Sequence, residues 1–90
     1  MIPTEKTELF DIALLRVLDA NNTQWGLQAP ALAMFTREFG FSPSCSETVN
    51  RLEYLTGKGM VEDVAKVLSK ANRAWKITSA GRRYLDEQGF

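Results

Sequence analysis

Polar side chains with hydrogen-bonding groups follow one edge of a predicted helix over residues 44–58. Ser46, Glu47 and Asn50 lie on the side away from the apolar positions, and Arg51 lies at its margin. Hydroxyl, carboxylate, amide and guanidinium groups are the ones that recognise base edges in the major groove. The types and spacing of these residues therefore predict a surface that binds by hydrogen bonding and makes no covalent bond.

The same segment contains the signals that start and end a helix. Ser44 is followed three residues later by Glu47, which is the pattern of a capping box. Gly57 and Gly59 favour the left-handed conformation that ends a helix. The apolar residues recur at three-residue steps and predict the buried side, namely Val49, Leu52 and Leu55. Cys45 is expected on this side as a small buried hydrophobe.

Each polar residue of the helix also has a purely structural interpretation. Asn50 either bonds an adenine edge or is an ordinary exposed residue. Arg51 either contacts guanine or phosphate, or pairs with Glu47 one turn earlier. Such an exposed pair contributes only about 0.3–0.5 kcal/mol, so it would not prevent DNA contact. Ser44 and Glu47 are expected to serve the cap, and Tyr54 either contacts a phosphate or is half buried.

Positive charge is concentrated in the last third of a chain whose formal net charge is zero. Residues 64–90 carry six basic residues against two acidic ones. The basic residues are Lys66, Lys70, Arg73, Lys76, Arg82 and Arg83. A local positive surface attracts phosphates whatever the total charge of the protein. The alternative interpretation is a solvated hairpin whose lysines only keep it soluble.

The residue inventory disfavours an enzyme. The chain has no histidine and one cysteine, so a nucleophile would lack an imidazole base and a metal ion would have only carboxylates. We therefore expect no catalytic residues, no metal and no cofactor. The sequence has no apolar run of ~20 residues, no signal-like N-terminus and one unpaired cysteine, and we expect a cytoplasmic protein without a membrane segment. Its 90 residues predict a single domain over 1–90.

Two helices are predicted before this segment. The first runs over about 5–20 with Thr4 as its N-cap, and its wide apolar stripe indicates burial on two sides, within the domain or against a second copy. The second runs over about 30–39, starts with a proline and ends at Gly40.

A hairpin and a last helix are predicted after it. The runs 60–68 and 73–78 are rich in β-favouring residues, and a further short strand is possible at 24–27. Thr78 or Ser79 then caps a short helix over about 80–88. The two tryptophans, Trp25 and Trp75, are expected to anchor the hairpin against the helices.

Three segments resemble the winged helix-turn-helix family of bacterial and phage DNA-binding domains. GFSPSCSETVNRLEYL is similar to the turn and recognition helix of SOS-type repressors and MarR-like regulators. GKGMVE is similar to the glycine-rich exit into the first wing strand, and WKITSAGRRYL to the end of the wing in MarR-like and PadR-like proteins. The resemblance implies an α+β fold with three helices, a two-stranded β-hairpin wing and a short C-terminal helix.

The resemblance also implies a way of binding double-stranded DNA. The helix 44–58 would enter the major groove, where its base-contacting residues would be Ser46, Glu47, Asn50 and Arg51. The helix 30–39 and the basic hairpin 64–77 would lie on the flanking backbone. The backbone-contacting residues would be Arg37, Ser44, Tyr54, Lys66, Lys70, Arg73 and Lys76.

The expected function is therefore a small transcriptional regulator that binds duplex DNA with full or partial sequence specificity. A single copy has few basic residues on its recognition helix, which favours a homodimer through helices 5–20 and 80–88. The alternative is a winged-helix module that binds proteins and no DNA, and the zero net charge suits this alternative.

Overall fold

A computed structural model of the chain describes residues 6–21, 26–64 and 73–90. These residues form a small α+β fold with four α-helices and one antiparallel two-stranded hairpin. The elements follow the order α1 (Thr7–Ala20), α2 (Ala29–Phe35), a 3-10 helix (Thr36–Phe39), α3 (Cys45–Gly57), β1 (Val61–Asp63), β2 (Trp75–Ile77) and α4 (Ser79–Glu87). The 3-10 helix is the second half of the helix predicted over about 30–39, so the count of helical elements is one higher than expected.

Helix α1 lies at the centre of the fold. Its core-facing residues run almost without a break from Phe10 to Leu18, because α2, the 3-10 helix, β2 and α4 all pack against it. The wide apolar stripe that the sequence shows is therefore buried within the chain except at Leu9, which is exposed. The helix begins at Thr7 with Lys6 at the N-cap position, two residues later than expected, and Thr4 lies outside the described residues.

The predicted second helix is divided into an α-helical and a 3-10 part. The hydroxyl of Thr36 is fully buried and donates to the carbonyl oxygens of Leu32 and Ala33, at 2.9 and 3.1 Å. Side-chain bonds of this kind compete with the regular backbone ladder, and the tighter helix begins at this residue. Gly40 ends it in the left-handed conformation at φ +88°, as predicted.

Helix α3 starts with the predicted capping box. The Glu47 N–H donates to Ser44 Oγ at 3.0 Å, and the Ser44 N–H donates to Glu47 Oε1 at 3.3 Å. The buried positions of the helix are Thr48, Leu52 and Leu55, whereas Val49 is only partly buried. The prediction that Cys45 is buried is wrong, since its side chain is exposed at the first turn.

The hairpin is shorter than predicted in the described residues. Val61 pairs with Ile77 and Asp63 with Trp75, and Val61, Trp75 and Ile77 face the core. Trp75 is fully buried and also forms an isolated bridge with Leu27, which accounts for the predicted short strand. Residues 65–72 and Trp25 lie outside the described residues, so the turn of the hairpin and the second tryptophan anchor are not described.

Thr78 connects the hairpin to α4 and caps this helix, as predicted. Its hydroxyl accepts from the Gly81 N–H at 3.2 Å and donates to the Gly59 carbonyl oxygen at 2.6 Å. Gly81 is buried against the Met60 carbonyl group, and a β-carbon there would collide with that oxygen. This close approach fixes the start of α4 against the segment that leaves α3.

Candidate nucleic-acid interface

The exposed edge of α3 carries the polar side chains predicted to contact bases. Ser46 and Asn50 are exposed one turn apart. Glu47 is partly buried, and one of its carboxylate oxygens is engaged in the capping box. Ser46 and Asn50 are therefore the most accessible of the predicted base-contacting residues.

Arg51, the fourth predicted base contact, reaches back to α1. Its Nε donates to Asp11 Oδ1 at 2.9 Å and its Nη2 donates to Asp11 Oδ2 at 2.6 Å, which makes a bidentate ion pair. The Asp11 side chain is 9% exposed and that of Arg51 28%. The hydrogen bond with Asp11 is the main cause that raises the pKa of the Arg51 guanidinium above its ordinary value. The pair ties α3 to the central helix.

Tyr54 lies on the same side of α3, between two cations. The Arg51 Cζ is 4.2 Å from the centroid of the Tyr54 ring, and the Lys58 Nζ is 5.6 Å from it. These distances fall within the range of cation–π attraction. Tyr54 is 47% exposed, and Lys58 is exposed at the end of the helix. The sequence predicts Tyr54 as a contact to the DNA backbone and does not predict such a contact for Lys58.

Arg73 joins the hairpin to α3. Its Nε donates to Asp63 Oδ2 at 3.0 Å, at the end of β1, and its Nη1 donates to Glu53 Oε1 at 2.9 Å, on α3. The guanidinium also lies over the Trp75 ring, with Cζ 4.8 Å from the centroid. The hydrogen bond with Glu53 is the main cause that raises the Arg73 pKa. The base of the hairpin is thereby held beside α3, one turn from Asn50.

The remaining predicted backbone contacts lie on several elements or outside the described residues. Arg37 is exposed on the 3-10 helix, and Ser44 is exposed with its hydroxyl engaged in the cap. Lys76 stands opposite Glu62 in the hairpin and lines a depression together with Arg82 at the start of α4. Lys66 and Lys70 lie outside the described residues.

A cleft of about 400 Å³ lies next to α3, between α1 and α4. Leu55 and Met60 contribute apolar surface, and Tyr54 and Tyr84 contribute phenol rings. The Tyr84 hydroxyl donates to Glu8 Oε1 at 3.4 Å. Desolvation and, after it, the negative charge of Glu8 raise the pKa of the Tyr84 phenol. The Asp11–Arg51 pair also lines this cleft.

Two residues of this region, Asp11 and Lys58, are not among the site residues that the sequence predicts. Asp11 is a carboxylate within the apolar stripe of α1, and a buried carboxylate requires a partner. That requirement was a usable signal, although the sequence does not say which cation satisfies it. Lys58 follows the last residue of α3; the sequence pattern includes it in the helix 44–58 as a basic residue but does not select it as a DNA contact.

No protein-family model, curated protein or solved structure matches the chain. Within the described ranges, no three histidine, cysteine, aspartate or glutamate side chains gather where they could hold a metal ion. None of the described helices is long and apolar enough to cross a membrane.

Proposed function

We propose that the chain is a winged-helix module that binds double-stranded DNA and acts as a small transcriptional regulator. The observation that carries the proposal is the Arg73 bridge, which holds the base of the hairpin beside the exposed edge of α3. A capped helix and an adjacent hairpin on one side of the molecule form a footprint suited to a groove and its flanking backbone.

In this proposal α3 lies in the major groove and Ser46 and Asn50 hydrogen-bond to base edges. The hairpin 64–77 approaches the flanking phosphates through Lys66 and Lys70. Arg37 contributes a further phosphate contact from the 3-10 helix. The bridge to Arg73 also offsets the negative charge of Glu53, which would otherwise face the phosphates from α3.

A mobility-shift titration with duplex DNA tests the proposal. We expect micromolar protein to shift a random duplex at about 50 mM salt, and the shift to weaken steeply as salt rises, because phosphate contacts release counterions. No shift under these conditions would exclude DNA binding. A selection of bound sequences from a random duplex pool would then give the base preference.

A charge reversal with a matched control sharpens the test. Lys70→Glu is expected to weaken DNA binding at least tenfold, since it places a negative charge in the segment that the sequence predicts as the basic hairpin. Arg83→Glu changes the net charge by the same amount at an exposed position outside the proposed contacts, and we expect a much smaller effect. Equal effects would mean that total charge, and not the hairpin, determines binding.

A second candidate function is protein binding, and one specific observation favours it. Phe39 and Phe90 are both exposed, and Arg16 lies over both rings, with Cζ 5.0 and 4.6 Å from the centroids. Leu9 is exposed two turns from Arg16 on the same helix. A homodimer through α1 and α4 would use this side. Measurement of the molar mass in solution, with Leu9→Lys as the disrupting variant, tests the dimer separately from DNA binding.

A further inference from the structure

We propose that Arg51 is a positioning residue, and that Tyr54 and Lys58 make the DNA contact at this edge of α3. The inference rests on the proposed DNA binding and revises the role that the sequence predicted for Arg51. It assigns to Lys58 a phosphate contact that the pattern of the sequence does not single out.

The geometry of the Asp11–Arg51 pair argues against base contact by Arg51. Bidentate recognition of guanine uses two N–H groups on one edge of the guanidinium. In Arg51 the Nε and Nη2 edge is already bonded to both oxygens of Asp11 and the guanidinium packs on the Tyr54 ring, so only its outer edge, with Nη1, keeps free N–H groups in a side chain that is 28% exposed. Turning the Nε and Nη2 edge toward a base would leave the carboxylate of Asp11, which is 9% exposed, without its cation. A buried unpaired carboxylate is strongly unfavourable, so the pair keeps Arg51 on the body of the protein.

The same pair determines where Tyr54 lies. The guanidinium that Asp11 holds in place packs on the Tyr54 ring, with Cζ 4.2 Å from its centroid, and this contact restricts an aromatic side chain that is 47% exposed. Arg51 thereby acts through Tyr54, which stands one turn further along α3 on the exposed side.

Lys58 follows Tyr54 on this side of α3 and is the cation at the C-cap of the helix. Its Nζ lies 5.6 Å from the centroid of the Tyr54 ring. The ion pairs found among residues 6–21, 26–64 and 73–90 involve Arg51, Arg73 and Arg82, and Lys58 has no carboxylate partner there. Its charge is therefore available to a phosphate, whereas that of Arg51 is neutralised by Asp11.

Duplex binding by single variants distinguishes a positioning residue from a contact residue. Binding is measured at several salt concentrations and against duplexes that differ at single base pairs. For Arg51→Ala we expect a similar loss, about three- to tenfold, on every duplex, with unchanged base preference and unchanged salt dependence. For Lys58→Gln we expect the slope of log Kd against log salt to fall by about one unit.

Asp11→Asn provides the second arm, because it releases Arg51 without removing it. If Asp11 acts by holding Arg51, this variant weakens binding as Arg51→Ala does, and the double variant is no weaker than either single one. Arg51→Lys keeps the charge and loses the planar fork, and it replaces Arg51→Ala if the latter does not fold. Asp19→Asn, which breaks the exposed pair with Arg82, is the control and should leave affinity within twofold.

The outcomes separate this inference from the proposed function. A relaxation of preference by tenfold or more at one base pair in Arg51→Ala would show that Arg51 reads that base and would overturn the inference alone. An unchanged salt slope in Lys58→Gln would also overturn it. Failure of the wild-type protein to bind any duplex would overturn the proposed function and this inference together.

Discussion

Asp11 and Arg51 lie forty positions apart in the chain and form a bidentate ion pair, in which Arg51 Nε and Nη2 donate to the two carboxylate oxygens of Asp11. The pair joins the central helix to the helix that carries the candidate DNA-binding edge. Since the Asp11 side chain is mostly buried and the Arg51 side chain partly so, solvent screens this pair less than the other ion pairs of the surface.

We expect Asp11→Ala to lower the free energy of unfolding by roughly 1–3 kcal/mol. The substitution leaves the partly buried guanidinium of Arg51 without its acceptor. Urea unfolding monitored by circular dichroism measures the change, and a double-mutant cycle with Arg51→Ala gives the coupling between the two residues.

Asp19→Ala is the control for this prediction. Asp19 pairs with Arg82 at 3.1 Å, and both side chains are close to half exposed, 47% and 46%. Exposed pairs of this kind contribute little, and we expect a change within about 1 kcal/mol. A loss as large as that of Asp11→Ala would contradict the view that burial makes the first pair important.

Two glycines allow a matched test of the contact between α4 and the exit from α3. Gly81→Ala places a β-carbon against the Met60 carbonyl oxygen and is expected to destabilise the protein by roughly 2–3 kcal/mol. Gly57→Ala meets no atom within 4 Å, and we expect it to stabilise the helix by up to about 1 kcal/mol. Thermal unfolding of both variants is the measurement. Similar midpoints would mean that the backbones do not approach as closely as described.

Two serines at the start of α3 have different expected effects. Ser44→Ala removes the acceptor for the Glu47 N–H, and we expect a loss of about 1 kcal/mol in stability. Ser46→Ala, at an exposed position, is expected to change stability by less than about 0.5 kcal/mol and to reduce DNA affinity. If Ser46→Ala lowered stability and left binding unchanged, Ser46 would have no role in base contact.

The pKa of Tyr84 gives a prediction about high pH. The chain has two tyrosines, so Tyr54→Phe leaves Tyr84 as the only phenol. We expect its ultraviolet titration to have a midpoint above the ordinary value of about 10, because desolvation and the charge of Glu8 disfavour the phenolate.

The raised pKa of Tyr84 determines how the stability of the protein changes at high pH. The folded state holds the Tyr84 proton more tightly than the unfolded state does, so its contribution to stability is complete below the unfolded pKa. This contribution decreases as pH rises through the folded pKa. In the Tyr54→Phe background, Glu8→Gln is expected to lower the midpoint, and an unchanged midpoint would contradict the effect assigned to Glu8.

The features that the sequence predicted well depend on residues close together in the chain. The capping box of Ser44 and Glu47, the Thr78 cap of α4 and the left-handed Gly40 each involve partners within four residues. Local hydrogen bonding and backbone conformation determine such features, so a short stretch of sequence contains the necessary information.

The predicted buried side of α3 is correct at Leu52 and Leu55, but it omits Thr48 and includes Val49, which is only partly buried. Steps of three residues selected Val49, Leu52 and Leu55, but 3.6 residues per turn favours steps of four and three, and the buried set is Thr48, Leu52 and Leu55. Thr48 tolerates burial because its hydroxyl donates to the Ser44 carbonyl oxygen at 2.9 Å. Cys45 lies three residues before Thr48 on the same side of the helix, and it is exposed at the first residue of α3.

The candidate site was harder to derive because its contacts are distant in sequence. The helix pattern placed Ser46 and Asn50 on the exposed side, where they lie. It gave no indication that Arg51 would bond Asp11, or that Arg73 would bond Glu53 twenty positions earlier. Such partners depend on how the helices pack, which the sequence patterns do not specify.

The bridge between Leu27 and Trp75 has a consequence for association between molecules. The Trp75 N–H and carbonyl oxygen are both bonded to Leu27, at 2.9 Å each, while β1 pairs with the other side of β2. An open strand edge can recruit a strand from another chain and start aggregation. At Trp75 that edge is already occupied by the chain's own backbone, so intermolecular sheet extension there would first require displacement of residues 26–28.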